Sequence, residues 1–144
     1  MESYIHKVQY YETDRMGLVH HSNYIRWMEE ARVDWLEKIG MGFDKLEEMG
    51  ITSPLLSVNC KYKFGSTFGD SVEIKTKVKK YNGVKITIEY IMTKVGTGEI
   101  VATGETELCF INFKTRRPII LKKENLELDQ LMKKALEENA EEEK

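Results

Sequence analysis

The sequence predicts an α+β domain in which a five-stranded antiparallel sheet wraps one long helix, followed by a helical tail. Three observations carry this reading. Residues 24–39 place apolar side chains at three- and four-residue steps, the spacing of one helix face. Later runs alternate apolar and polar residues with period two and are separated by glycine turns. Strands joined by short turns pair antiparallel, and one helix covered by such a sheet requires the sheet to curve.

In chain order, residues 4–11 roughly alternate and predict a first strand. Ser22 and Asn23 are helix N-cap types, and the amphipathic run begins just after them. Its apolar stripe is Tyr24, Trp27, Met28, Ala31, Trp35 and Ile39, while Glu29, Glu30, Arg32, Glu37 and Lys38 fall largely elsewhere. Gly40 and Gly42 end the helix, and residues 43–49 add a short helical turn. A β-rich stretch over 51–64 has Pro54 near its start, where no ladder hydrogen bond is needed from it. Residues 71–81 set Val72, Ile74, Thr76 and Val78 on one face against Glu73, Lys75, Lys77 and Lys79 on the other. Asn82-Gly83 marks a hairpin, and Val84, Ile86, Ile88 and Tyr90 return on one face. Residues 99–113 form the last long strand, stopped by Arg117-Pro118. Leu126, Leu128, Leu131, Met132 and Leu136 fit a short amphipathic helix in a charged tail whose last residues are expected to fray. We therefore divide the chain into a domain over 1–121 and a charged helical tail over 122–144.

Composition narrows the function classes. The chain has 144 residues, 41% of them hydrophobic, which suits one domain with a real core. The formal net charge of −2 gives no reason to expect nucleic acid as a partner. The sequence shows no apolar signal core and no membrane-spanning segment, so no membrane partner and a cytoplasmic location are expected. Cys60 and Cys109 lie in strand-like apolar runs and read as buried free thiols. There is no Cys/His ligand spacing for a structural metal. The sheet's outer face and free edge need cover, which points to an oligomer.

Chemistry concentrates in Val8-Gln9-Tyr10-Tyr11-Glu12-Thr13-Asp14-Arg15-Met16-Gly17-Leu18-Val19-His20-His21-Ser22-Asn23-Tyr24. The N-terminal end of the long helix opens beside Asp14, Gly17, His20 and His21. Free backbone N–H groups at such an end suit an oxyanion or a polarised carbonyl. A carboxylate next to them is the minimum a hydrolase needs. Taken alone, Asp14 is better explained as a loop or capping residue. Glu12 is expected as a solvated or salt-bridged loop acid.

The stretch from Tyr11 to Tyr24, together with Glu30-Ala31-Arg32, resembles hotdog-fold acyl-CoA thioesterases. The likeness is to the 4-hydroxybenzoyl-CoA thioesterase type, especially its broad acyl-CoA branch. It covers the element order to about residue 120, with the tail outside it. The resemblance implies hydrolysis of an acyl-CoA to a carboxylic acid and CoA, with no metal or organic cofactor. It implies that Asp14 is the catalytic carboxylate, as nucleophile or general base. It maps the carbonyl-polarising N–H onto the backbone of His21, and gives Gly17 the role of letting the loop backbone approach closely. Glu12 and His20 depart from the usual pattern, where Asp and an aromatic are common.

For substrate binding, the candidates are His20, Asn23, Tyr24, Met28 and Ser53. Asn23 doubles as a helix cap, and Tyr24 and Met28 are core residues close enough to border an acyl tunnel. Ser53 falls where relatives line the acyl end. Lys79, Lys80 and Lys85 flank the Asn82-Gly83 turn, where relatives meet the CoA phosphates; Lys61 and Lys63 are weaker candidates. The resemblance also places the pocket between two chains, implying a homodimer or homotetramer. The competing readings are an acyl-carrier-protein thioesterase, a hotdog hydratase and a non-catalytic acyl-thioester binding module.

Overall fold

The computed structural model describes residues 3–142. Strand β1 (Ser3–Lys7) leads through a single 3-10 turn (Tyr10–Glu12) and a loop into helix α1 (Ser22–Lys38). Helix α2 (Phe43–Glu48) and the short strand β2 (Ile51–Thr52) follow. Strands β3 (Leu55–Tyr62), β4 (Ser71–Tyr81), β5 (Lys85–Lys94) and β6 (Ile100–Cys109) come next. Strand β7 (Ile111–Asn112), helix α3 (Leu121–Glu124) and helix α4 (Leu126–Glu142) complete the chain. The main sheet has five antiparallel strands in the order β1-β4-β5-β6-β3, and β2 pairs with β7 apart from it. This is the predicted α+β architecture.

Helix α1 lies on one face of the sheet. It buries Tyr24, Trp27, Met28, Ala31, Trp35 and Leu36 against Val72, Ile74, Val78, Ile86, Ile88, Tyr90 and Met92. The period-two pattern therefore decides which side of each strand meets the helix. Arg32 also belongs to this buried face, contrary to its expected placement. Its guanidinium donates to the Tyr90 hydroxyl at 3.1 Å, and that hydroxyl meets Thr106 Oγ1 at 2.8 Å, so its polar end has a partner under the sheet. Helix and sheet meet tightly at Gly104. A Cβ there would stand 2.2 Å from Met28 Cε and 2.8 Å from the Asn59 carbonyl oxygen.

Some boundaries differ from the sequence reading, each for a local reason. The first strand stops at Lys7, because the Glu12 side chain accepts the Gln9 N–H at 2.7 Å and folds residues 9–12 into a turn. The stretch 51–64 is split at Ser53-Pro54 into β2 and β3. The last long strand is likewise split, between Cys109 and Ile111. A bulge between Val78 and Lys80 turns Tyr81 inward opposite Ile86. Helix α1 starts at Ser22 itself, and neither Ser22 nor Asn23 caps it. Cys109 is buried and Cys60 half-buried; both are free, and burial pushes both thiols up.

The tail packs on the domain as far as it is described; the last two residues, where fraying was expected, lie outside the described residues. Leu128 and Met132 of α4 are fully buried in the common core, and α4 lies along β4 beside the C-terminal half of α1. Asp129 accepts the Tyr81 hydroxyl and an ion pair from Lys133 at 3.1 Å. Asn139 Nδ2 donates to the Val78 carbonyl at 3.2 Å. Among the described residues no helix is long and apolar enough to cross a membrane.

Two predictions follow from this packing. Gly104→Ala forces the new methyl against the Asn59 carbonyl, which is backbone and cannot swing away; a loss of about 1–3 kcal/mol is expected in urea unfolding. The Tyr81 hydrogen bond chiefly, with help from Lys133 and against burial, holds the Asp129 carboxyl below its usual range. A depressed carboxyl adds stability that is full above its unfolded-chain pKa of about 3.9 and is lost as pH falls through the lower folded value. Asp129→Asn should therefore lower the neutral-pH melting temperature and flatten its fall in acid, as read from melting curves across pH.

Candidate active site

Residues 13–21 cross from the 3-10 turn to α1 over one end of the sheet. Short bridges hold this loop: Thr13 to Val19, and Leu18 to Thr67. Val19 N–H donates to the Ser66 carbonyl at 2.8 Å, and Thr67 Oγ1 donates to the Gly17 carbonyl at 2.8 Å. Within the loop Asp14 N–H donates to the Leu18 carbonyl at 2.7 Å, and Gly17 N–H to the Asp14 carbonyl at 3.0 Å. Gly17 has φ +78, and no atom lies within 4 Å of where its Cβ would be. The tight turn needs glycine for its backbone conformation, so the expected reason, close approach, does not apply within one chain.

Asp14 is half-buried at the centre of that turn. Its Oδ1 accepts the N–H of Met16 at 2.8 Å and of Leu18 at 3.3 Å. No protein donor reaches Oδ2 among the described residues. Asp14 thus caps its loop with one oxygen and keeps the other available. It lines a cleft of about 280 Å³ with Met16, Leu18, His21, Tyr24, Tyr62 and Phe64. Val19, Lys63 and Gly65 close the remainder.

The helix entrance forms the opposite wall. His20 N–H donates to the Glu12 carbonyl at 2.8 Å. Ser22 N–H donates to His20 Nδ1 at 3.2 Å, and Asn23 N–H to the His20 carbonyl at 3.0 Å. Among the described residues the His21 N–H is the one in this run with no protein acceptor. The His21 carbonyl accepts the Tyr62 hydroxyl at 3.2 Å, and its ring stacks on His20 with centroids 4.1 Å apart. Tyr24 is buried edge-on against Tyr62, 5.3 Å between centroids.

The other predicted site residues separate. Asn23 is buried and spends Nδ2 on the Glu12 carbonyl at 2.9 Å, so it ties the helix to the turn instead of capping. Met28 is fully buried under Gly104 and does not line the cleft. Ser53 donates to the Cys109 carbonyl at 3.2 Å at the far end of β3. Lys79, Lys80 and Lys85 also lie at that end of the same chain. Lys79 pairs with Glu105, and Lys85 Nζ is 3.9 Å from a Glu107 oxygen.

Glu12 is the feature that the sequence reading undervalued. It is 4% exposed, so of the two expected states, solvated or paired, the structure shows the paired one, and buried. Its Oε1 accepts from His6 Nε2 at 2.8 Å and from Gln9 N–H, and its Oε2 accepts from Trp27 Nε1 at 2.7 Å. Burial by itself raises the carboxyl's pKa, but the bonds from His6, Gln9 and Trp27 outweigh it and hold the group below its usual range. Tyr62 and Phe64 were missed as lining, because only the fold brings them to the loop, whereas Lys63, a weaker candidate for the CoA phosphates, does line the cleft.

Comparison with known proteins gives the family and the fold. A family model described as the thioesterase-like superfamily matches residues 8–135, and so runs into α4. A solved DHNA-CoA thioesterase from Staphylococcus aureus superposes with a TM-score of 0.89 at 33% identity, covering 96% of this chain and 93% of that one. YneP of Bacillus subtilis, by name a candidate acyl-CoA thioesterase, is 33% identical over 118 residues, 81% of this chain and 84% of its own. The long-chain acyl-CoA thioesterase FadM of Escherichia coli is 27% identical over 128 residues, 88% of this chain and 96% of its own. This chain belongs to the thioesterase-like superfamily, as one of its hotdog-fold thioesterases.

Proposed function

We propose that the protein hydrolyses an acyl-CoA thioester to a carboxylic acid and free CoA at the Asp14 cleft, in the manner of the 4-hydroxybenzoyl-CoA thioesterase type. The observation that carries this is the pairing of an uncommitted carboxylate oxygen, Asp14 Oδ2, with an uncommitted N–H, that of His21, in one apolar cleft. The thioester carbonyl accepts the His21 N–H and is polarised by it. Asp14 then attacks the carbonyl carbon and expels the CoA thiolate, leaving a mixed anhydride that water opens. Alternatively it takes a proton from the attacking water. A thioester has weak resonance and a good leaving group, so no further nucleophile is required. Tyr24, Tyr62, Phe64, Met16 and Leu18 give the acyl group an apolar lining.

The cleft is open and lies beside the β3 edge of the sheet, which has β6 on one side and no strand on the other among the described residues. Along β3 and just beyond it, Leu55, Leu56, Val58, Tyr62 and Phe64 are 40–57% exposed. We assign this edge to a second copy of the chain, paired antiparallel through β3. Such a pairing, centred on the strand, sets the second copy's Ser53 end beside this chain's Tyr62 end and closes the cleft from that side. Lys63 of the same chain already lines the cleft and becomes the first candidate for the CoA phosphates. Lys79, Lys80 and Lys85 belong to the end that the second copy brings alongside.

Two outcomes are expected. Asp14→Asn should keep the melting temperature near wild type and lower thiol release from acyl-CoA by about a hundred- to ten-thousandfold. The assay is run over short, long and aromatic acyl groups with an enzyme-only blank for Cys60 and Cys109. A folded Asp14→Asn protein with wild-type rates overturns the assignment. Val58→Lys should convert a dimer to a monomer in light scattering and lower turnover at least about tenfold, since an unpaired charge on a paired edge opposes association.

A further inference from the structure

Resting on the Asp14 reading, we propose that Tyr62 is a specificity-determining residue that ends the cleft and confines the protein to short or compact acyl groups. Of the β3 residues, Tyr62 alone lines the cleft; Lys63, Phe64 and Gly65 follow it there, and residues 55–60 do not reach it. The Tyr62 hydroxyl donates to the His21 carbonyl at 3.2 Å. Its ring stands edge-on to Tyr24, 5.3 Å between centroids. One side chain therefore spans from the sheet edge to the start of α1, and the cleft stops at its ring.

Beyond Tyr62 an apolar strip continues along β3. Tyr62, Cys60, Val58 and Leu55 stand opposite Ala102, Gly104, Thr106 and Leu108 of β6, all buried on the helix side of the sheet. Residues directly opposite on paired strands share a face, so the strip points the same way as Tyr62. Val58 and Leu55 are each 40% exposed, and Cys60 is half-buried. Pairing of two copies through β3 uses backbone groups in the plane of the sheet, while side chains stand out of that plane. The strip thus remains a groove above the joint. No way leads inward instead: Tyr24, Trp27 and Met28 are buried, and the Met28 methyl fills the space that Gly104 leaves.

The acyl group is therefore limited to the cleft of about 280 Å³ in front of the ring. An aryl or short alkyl group fits there and meets Tyr24, Tyr62 and Phe64. A long chain must either displace the Tyr62 ring or leave its outer methylenes in water. Displacement breaks the bond to the His21 carbonyl and the contact with Tyr24. Each methylene left in water forgoes about a fourfold gain in affinity. Phe at this position keeps the stop and loses only the tie to His21, whereas Ala removes the stop and joins the cleft to the strip.

The test measures kcat/KM for acetyl-, benzoyl-, decanoyl- and hexadecanoyl-CoA, kept below micelle formation, in wild type, Tyr62→Phe and Tyr62→Ala. Melting temperature and oligomeric state are recorded for each protein. Wild type should favour benzoyl- over hexadecanoyl-CoA by at least about tenfold. Tyr62→Ala should raise the hexadecanoyl-to-benzoyl ratio by at least about tenfold, and Tyr62→Phe should hold it within about threefold of wild type. Equal wild-type efficiency on the two substrates overturns the proposal, as does an unmoved ratio in a folded Tyr62→Ala of wild-type oligomeric state. If Tyr62→Ala fails to fold or associate, Tyr62→Val, which also lacks the ring, and the wild-type series decide it. Benzoyl and hexadecanoyl analogues with a methylene between sulfur and carbonyl cannot release thiol. Their binding to wild type and Tyr62→Ala, read by calorimetry, should show the same change of preference without chemistry. An active Asp14→Asn overturns the catalytic reading, while the binding ratio still judges the stop.

Discussion

The buried carboxylate of Glu12 is the interaction on which the site depends. A charge taken out of water is strongly unfavourable unless it is paired and fully hydrogen-bonded. Here His6 Nε2 and Gln9 N–H hydrogen-bond to Oε1, and Trp27 Nε1 hydrogen-bonds to Oε2. Three elements are thereby joined at one residue: β1 through His6, the 3-10 turn through Gln9, and α1 through Trp27. The backbone carbonyl of the same residue adds His20 and Asn23. The loop that bears Asp14 is consequently anchored at its start and its end by one side chain and its own peptide group.

A second constraint is steric. The sheet can wrap α1 closely only because Gly104 offers no side chain where Met28 crosses it. The same approach buries Arg32, whose charge is turned onto Tyr90 and Thr106 inside the sheet. Helix α4 completes the layer by filling the ground beside α1 over β4, and its polar contacts from Asp129 and Asn139 fix its register on that strand. The face beside α1 is thus closed within one chain. The β3 edge stays open, and it is next to that edge that the cleft lies.

Asp14 has a structural role in its loop and, in the proposed reaction, a chemical one as well. Using Oδ1 to close the turn fixes the carboxylate plane, which leaves Oδ2 aimed without further support. On the opposite wall, His20 absorbs the neighbouring donors of the helix start, through its carbonyl and its ring, and leaves the His21 N–H uncommitted. Loop and helix entrance are therefore complementary by what each leaves unbonded.

The sequence by itself determined the architecture and pointed to the stretch that carries the proposed site. Periodicity is a local property, so the stripe of α1 and the alternation of β4 and β5 were legible residue by residue, and Asn82-Gly83 announced their hairpin. The dense run from Tyr11 to Tyr24 announced the chemistry through residue types packed into one turn. What only the tertiary structure decided was which polar group faces which. Glu12 looked like any loop acid until Trp27, fifteen residues on, and His6 were brought to its two oxygens. Asn23 looked like a cap until its amide found the Glu12 carbonyl. Tyr62 and Phe64 entered the cleft, and Lys79, Lys80 and Lys85 moved to the other end of the sheet, through strand order alone. Hydrophobic period sets the face a residue occupies, but hydrogen-bond partners distant in sequence are chosen only when packing brings the elements together.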